Sequence, residues 1–161
     1  MSAIALLAAC ASDNDESPRY VNNLGAGINL TELADAALPK GKCGMILWTL
    51  ESDNPVAILR YVAGETAEIA LNGAQETLAL SEISGSSNFG VFENQSFSNE
   101  TGLAVDVKVR FGLGFDGGAY LERGLITVDN DDGWRVVAPT AGIAGWSRTG
   151  SCRRTSTSTP R

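Results

Sequence analysis

Nineteen carboxylates, three cysteines and no histidine set the chemistry open to this 161-residue chain. Without imidazole there is no Ser-His-Asp or Cys-His nucleophile, no histidine-ligated zinc and no imidazole proton shuttle. Paired carboxylates can still do acid–base work, as they do in glycosidases. Glu93, Glu100 and Glu122 are the candidates, yet no spacing sets any of them apart. The expectation is a protein that is not an enzyme and uses neither cofactor nor metal.

Two motifs need weighing against that expectation. Gly112-Leu-Gly114-Phe-Asp-Gly117 spells GxGxxG. In a dinucleotide fold this motif follows a strand and opens a helix whose N-terminus holds pyrophosphate. Here strand-like sequence follows, and Asp116 would aim a negative charge at the phosphate, so a glycine-rich hairpin is expected. Asp129-Asn130-Asp131-Asp132-Gly133 resembles the start of a calcium loop. An oxygen ligand should stand where Gly133 is, and Thr140 occupies the place of the bidentate Glu. Asp, Asn and Gly are ordinary turn formers, and a turn is expected.

Charge is uneven along the chain. The 15 residues from Ser147 hold four of the twelve basic residues and no acid, leaving eight basic against nineteen acidic residues in the rest. An acidic body repels phosphates, which argues against nucleic acid and for a basic protein as the expected partner.

The chain opens Met1-Ser-Ala-Ile-Ala-Leu-Leu-Ala-Ala-Cys10. Leu7-Ala8-Ala9-Cys10 resembles a lipobox, the cleavage site of bacterial lipoproteins, which implies acylation of Cys10. The apolar run is short and no Lys or Arg precedes Arg19, so residues 1–10 are expected to be the end of a longer signal peptide. Acyl chains would hold the protein on a membrane surface without spanning it. Ala11 stands where an Asp would signal retention at the inner membrane, so the resemblance implies an outer-membrane lipoprotein facing the periplasm. With Cys10 lipidated, Cys43 and Cys152 are left as an even pair for an oxidising compartment. Their disulfide would close a loop of roughly 110 residues.

Residues 11–23 read as a flexible polar linker, 24–146 as one domain and 147–161 as a basic disordered tail. Leu30, Leu33, Ala34, Ala37 and Leu38 recur at helical spacing between a capping Thr31 and a terminating Pro39, which predicts a short N-terminal helix. From residue 44 onward the pattern is β. Leu103, Val105, Val107, Val109, Phe111, Leu113 and Phe115 alternate with Ala104, Asp106, Lys108, Arg110, Gly112 and Gly114, one face for a core and one for water. Asn72-Gly73 between two apolar runs marks a tight hairpin. Further turns at 52–55, 99–102, 116–118 and 131–133 give about eight strands. The fold class expected is all-β, an antiparallel meander closed into a small barrel or folded into a sandwich. Trp48 and Trp134 fall in strand patterns and are expected in the core, whereas Trp146 is the candidate for an exposed contact or a cover over one barrel end.

Ser84-Gly85-Ser86-Ser87-Asn88-Phe89, after the hairpin strand 76–80, resembles the loop of the membrane-bound inhibitors of c-type lysozyme. Those are periplasmic lipoproteins with an antiparallel β-barrel, whose Ser-Gly loop enters the lysozyme cleft. The resemblance implies a binding site at Ser84, Gly85, Asn88 and Phe89, with Ser84 as the inserted residue. The family's Lys-Gly-Asp-Glu-Ala stretch is replaced here by Asn99-Glu-Thr-Gly-Leu. Two functions follow as expectations. One is a lipid-anchored binding module for a basic cell-wall-active protein such as a lysozyme. The other is an accessory subunit that assembles into a larger envelope complex.

Overall fold

The computed structural model describes residues 28–50 and 54–147. Cys10 with its lipobox, the linker, Cys152 and the rest of the tail lie outside the described residues. Eight strands, β1 (Cys43–Thr49), β2 (Ala57–Val62), β3 (Thr66–Leu71), β4 (Ala74–Asn88), β5 (Val91–Ser98), β6 (Ala104–Phe115), β7 (Gly118–Asp129) and β8 (Arg135–Trp146), form a closed antiparallel barrel in sequence order. β1 and β8 complete the ring, with Cys43 opposite Trp146 and Thr49 opposite Thr140.

Alternation decides which side chains fill it. Val105, Val107 and Val109 point inward from β6 and are buried, while Asp106, Lys108 and Arg110 face out. Met45, Leu47, Leu59, Tyr61, Ile69, Phe97, Leu121 and Ile126 meet them in a continuous core. Tyr61 and Phe97 stack at a tilt with centroids 5.1 Å apart. The buried Tyr61 hydroxyl accepts a hydrogen bond from the Gly64 N–H, so its polar end is satisfied. An apolar interior and a charged exterior reverse the polarity of a membrane-spanning barrel. Among the described residues no helix is long and apolar enough to cross a membrane.

Turns sort to two ends. The β2–β3, β4–β5 and β6–β7 turns form the top, together with the start of β1 and the end of β8. The β1–β2, β3–β4, β5–β6 and β7–β8 turns form the base. Asn72 and Gly73 both adopt positive φ, the conformation a two-residue hairpin turn demands, as the sequence predicts.

The predicted helix around Leu30–Leu38 does not form; the segment is extended and irregular. β2 and β3 pair only from Leu59↔Ile69 to Tyr61↔Ala67, and below this they part. Residues 29–33 fill the gap. Thr31 N–H donates to Ala70, Asn72 N–H donates to Asn29, and Leu33 N–H donates to Ala57. These bonds satisfy barrel groups that a helix would have left orphaned. Leu33 is buried and Leu30 and Leu38 are half-buried without a helix, and Ile28 just before them is buried as well. The strap then climbs the outer face, where Arg60 on β2 binds its cross-strand neighbour Glu68, the Ala37 carbonyl and Asp35.

Three further expectations change. Phe111 is only half-buried, and a bulge between Phe111 and Gly114 sets Gly114 opposite the buried Ala119, which turns Leu113 and Phe115 to the outer face, where they are exposed. Trp134 is exposed in the β7–β8 turn and Trp48 is half-buried, so neither is a core residue. The side chain of Trp146 lies outside what is described.

Candidate functional site

The Ser84–Gly85 motif lies inside a strand rather than a loop, which corrects the expectation drawn from the lysozyme-inhibitor resemblance. Ser84 pairs with Asn94 and Ser87 with Phe92, so Gly85 and Ser86 stand opposite Glu93 alone. This two-against-one pairing is a β-bulge, and Gly85 takes the positive φ of 84° that such a bulge needs. The Glu93 carboxylate accepts the Ser86 N–H at 3.1 Å and braces the bulge from the neighbouring strand. Asn94 Nδ2 reaches the Ser84 carbonyl at 3.5 Å. The turn itself is Phe89–Gly90, both with positive φ, and Asn88 accepts the Phe89 N–H through its side chain.

This hairpin outgrows the wall. β3 begins at Thr66 opposite Ala79, so beyond Ala79 β4 has β5 as its single strand neighbour among the described residues. Residues 81–88 are all exposed. Their outer backbone edge faces solvent, the arrangement that lets another chain add a strand. Phe89 and Ala63 pack against the core and Val91 is fully buried, so the hairpin leans over the barrel mouth. The structure thus brings Ser84, Gly85, Asn88 and Phe89 onto one hairpin, with the first three exposed and Phe89 half-buried.

A second opening lies on the other side of β5. The β5–β6 ladder runs from Ser98↔Ala104 to Asn94↔Lys108 and stops there. Above it, β5 stays with β4 and β6 with β7, leaving an open groove of about 420 Å³ lined by Glu93, Asn94, Lys108, Arg110, Arg123 and Leu125. Arg123 reaches this groove from a bulge in β7, where Glu122 and Arg123 stand between Leu121↔Gly142 and Gly124↔Thr140. Its φ of 51° is unusual for a residue with a side chain. Sequence reading missed this set, because its members come from three strands and one of them is placed by the bulge.

The candidate acids do not converge. Glu93 and Glu122 lie on the upper half of the barrel, whereas Glu100 is in a turn at the base. Glu122 lies over Gly112, where a Cβ would strike its carboxylate. The GxGxxG segment runs from the end of β6 through the Asp116–Gly117 turn, and β7 follows it rather than a helix that could hold a phosphate.

The 129–133 segment forms the β7–β8 turn, closed by Asn130 N–H to the Trp134 carbonyl and Gly133 N–H to the Asn130 carbonyl. Asp129 is engaged by Arg135, whose Nε donates at 2.7 Å and Nη2 at 3.3 Å. That hydrogen bond, with the charge of Asp129, raises the Arg135 pKa above its ordinary value. Asp131 rests against Gly102 of the β5–β6 turn. Among the described residues no three metal-ligating side chains gather.

No family model, curated protein or solved structure matches the chain.

Proposed function

We propose that the protein is a non-enzymatic binding module, anchored to the outer membrane through acylated Cys10 and facing the periplasm, that engages a basic cell-wall-active protein such as a lysozyme through the upper run of β4. The observation that carries this reading is the exposed edge of residues 81–88, stiffened by the Gly85 bulge and its Glu93 brace. Glu82 adds negative charge to that edge, which favours a cationic partner. The strap supports the orientation. Residue 28 sits at the base and β8 ends at the top, so a tether on the N-terminal side leaves the β4–β5 hairpin pointing away from its anchor.

A disulfide from Cys43 to Cys152 belongs to the same reading. Cys43 faces Trp146 across the closing seam, six residues before Cys152. Six residues of extended chain reach about 20 Å, well beyond the Cα separation of about 5–6 Å that a disulfide needs, so the geometry leaves slack.

The test is titration of a basic c-type lysozyme with the purified full chain. Inhibition should be lost in Ser84→Arg and weakened in Glu82→Lys, with both variants melting like wild type. No complex with the wild-type chain would discard the inhibitor reading. The assembly-subunit alternative is favoured by a different surface, the β6–β7 hairpin, where Leu113 is 77% exposed and Phe115 and Tyr120 stack in the open. Loss of an envelope complex in Leu113→Ser, with lysozyme inhibition absent throughout, would select it.

A further inference from the structure

We propose that the open seam between β5 and β6 is a binding site for an extended acidic peptide segment. This site is separate from the β4 edge and does not rest on its reading. Three observations carry it. First, the seam has unused backbone. β6 above Lys108 has β7 as its one strand neighbour among the described residues, and the Val109 side chain is buried in the core, so position 109 borders the groove with its main chain. Second, the groove is cationic on an otherwise acidic body. Lys42, Arg60 and Arg135 each hold a carboxylate, whereas Lys108, Arg110 and Arg123 form no ion pair among the described residues. Glu93, the acid on the rim, is turned to the Ser86 N–H. Third, Arg123 is held at positive φ inside a bulge, a conformation glycine would adopt without strain, and it is one of the residues lining the groove.

The same barrel shows how such a gap is filled. Where β2 and β3 part, residues 29–33 insert in extended form and take up the free backbone groups of Ala57 and Ala70. A peptide strand in the β5–β6 gap would do likewise, and carboxylates on alternate residues would meet Lys108, Arg110 and Arg123. Arginine forks suit carboxylates, and backbone pairing supplies the rest. Leu125 on the groove wall is exposed and offers apolar contact to the intervening residues.

The experiment uses the full chain and a labelled acetyl-Glu-Val-Glu-Val-Glu-amide peptide, read by fluorescence anisotropy. Saturable binding is expected, weakened about tenfold in Arg110→Gln and in Arg123→Gly, the loss of one charge-assisted contact each. Arg135→Gln, at the base, should bind like wild type. Arg123→Gly should melt at or above the wild-type temperature, which separates lost binding from lost folding. Methylating alternate peptide amides should abolish binding, since backbone pairing is part of the claim. The proposal is overturned if the peptide does not bind, if the Lys-Val-Lys-Val-Lys peptide binds as well, or if both groove variants bind unchanged. It is also overturned if vesicles of anionic phospholipid bind through these residues and the acidic peptide does not.

Discussion

Gly90 turns the β4–β5 hairpin against Ala63 so closely that a methyl group at position 90 would stand 2.5 Å from the Ala63 Cβ. The tip of the hairpin that carries the longest strand is thereby pinned to the β2–β3 turn, and Val91 is drawn into the core. Gly90→Ala adds this clash to the cost of a side chain at φ 75°. The expected loss is about 2 kcal/mol or more by urea denaturation. Adding Ala63→Gly should recover the steric share and leave a backbone cost of about 1 kcal/mol. Equal losses in the single and double variants would show that the two turns are not coupled.

Val107 and Lys108 are neighbours on β6 with opposite environments, the first fully buried and the second exposed. Val107→Asp places an unpaired charge in the core and should cost several kcal/mol, enough to unfold the domain. Lys108→Asp should leave the melting temperature within a degree or two of wild type. Similar melting of both would reverse the assigned faces.

Arg60 ties the strap to the wall through Glu68, Asp35 and the Ala37 carbonyl. Arg60→Met keeps its apolar stem and removes those contacts while Glu68 stays half-buried, at a cost of about 2 kcal/mol. Amide exchange should accelerate in residues 29–33 before it does in β6 or β7, because the strap is held by few bonds. Leu33→Ala should add about 2–4 kcal/mol of its own.

The proposed Cys43–Cys152 bond predicts a redox signature. Reductant and Cys152→Ser should lower the unfolding free energy by the same amount, at most about 5 kcal/mol for a loop of this size. Wild-type melting that ignores reductant would end the pairing. Alkyne fatty-acid labelling, present in wild type and lost in Cys10→Ala, is the matching check on the anchor.

The parts of the fold legible in the sequence are those where burial and local geometry agree. Residues 103–111 alternate strictly because one face meets the core and the other meets water, and Asn72-Gly73 is the residue pair its turn requires. The strap is not legible because, of the residues at helical spacing, Leu33 is buried and Leu30 and Leu38 are half-buried against the barrel wall while Ala34 and Ala37 are exposed, so the spacing matches a helix by coincidence. The upper run of β4 was invisible as strand because residues 81–88 are exposed on both faces and so lack alternation. Ser84-Gly85 is legible in the sequence as a motif but its bulge is not, since the bulge depends on Glu93 across the ladder. For the cationic groove the available signal was the Lys108–Arg110 alternation, with nothing in the sequence to bring Arg123 beside it.

Closing the ring by β1 and β8 has a consequence for how the chain reaches its native state. Every other strand pair joins neighbours in sequence, and hairpins of this kind zip on a scale of about 1–10 microseconds. The β1–β8 ladder instead brings together Cys43 and Trp146, about 100 residues apart, and pays the largest loop-closure entropy of any pairing. Gly142 on β8 keeps that ladder clear of a side chain, since a Cβ there would collide with the Ile46 carbonyl on β1. The slow search in folding is therefore for this one seam. A crosslink formed beside it early would turn that long search into a local one.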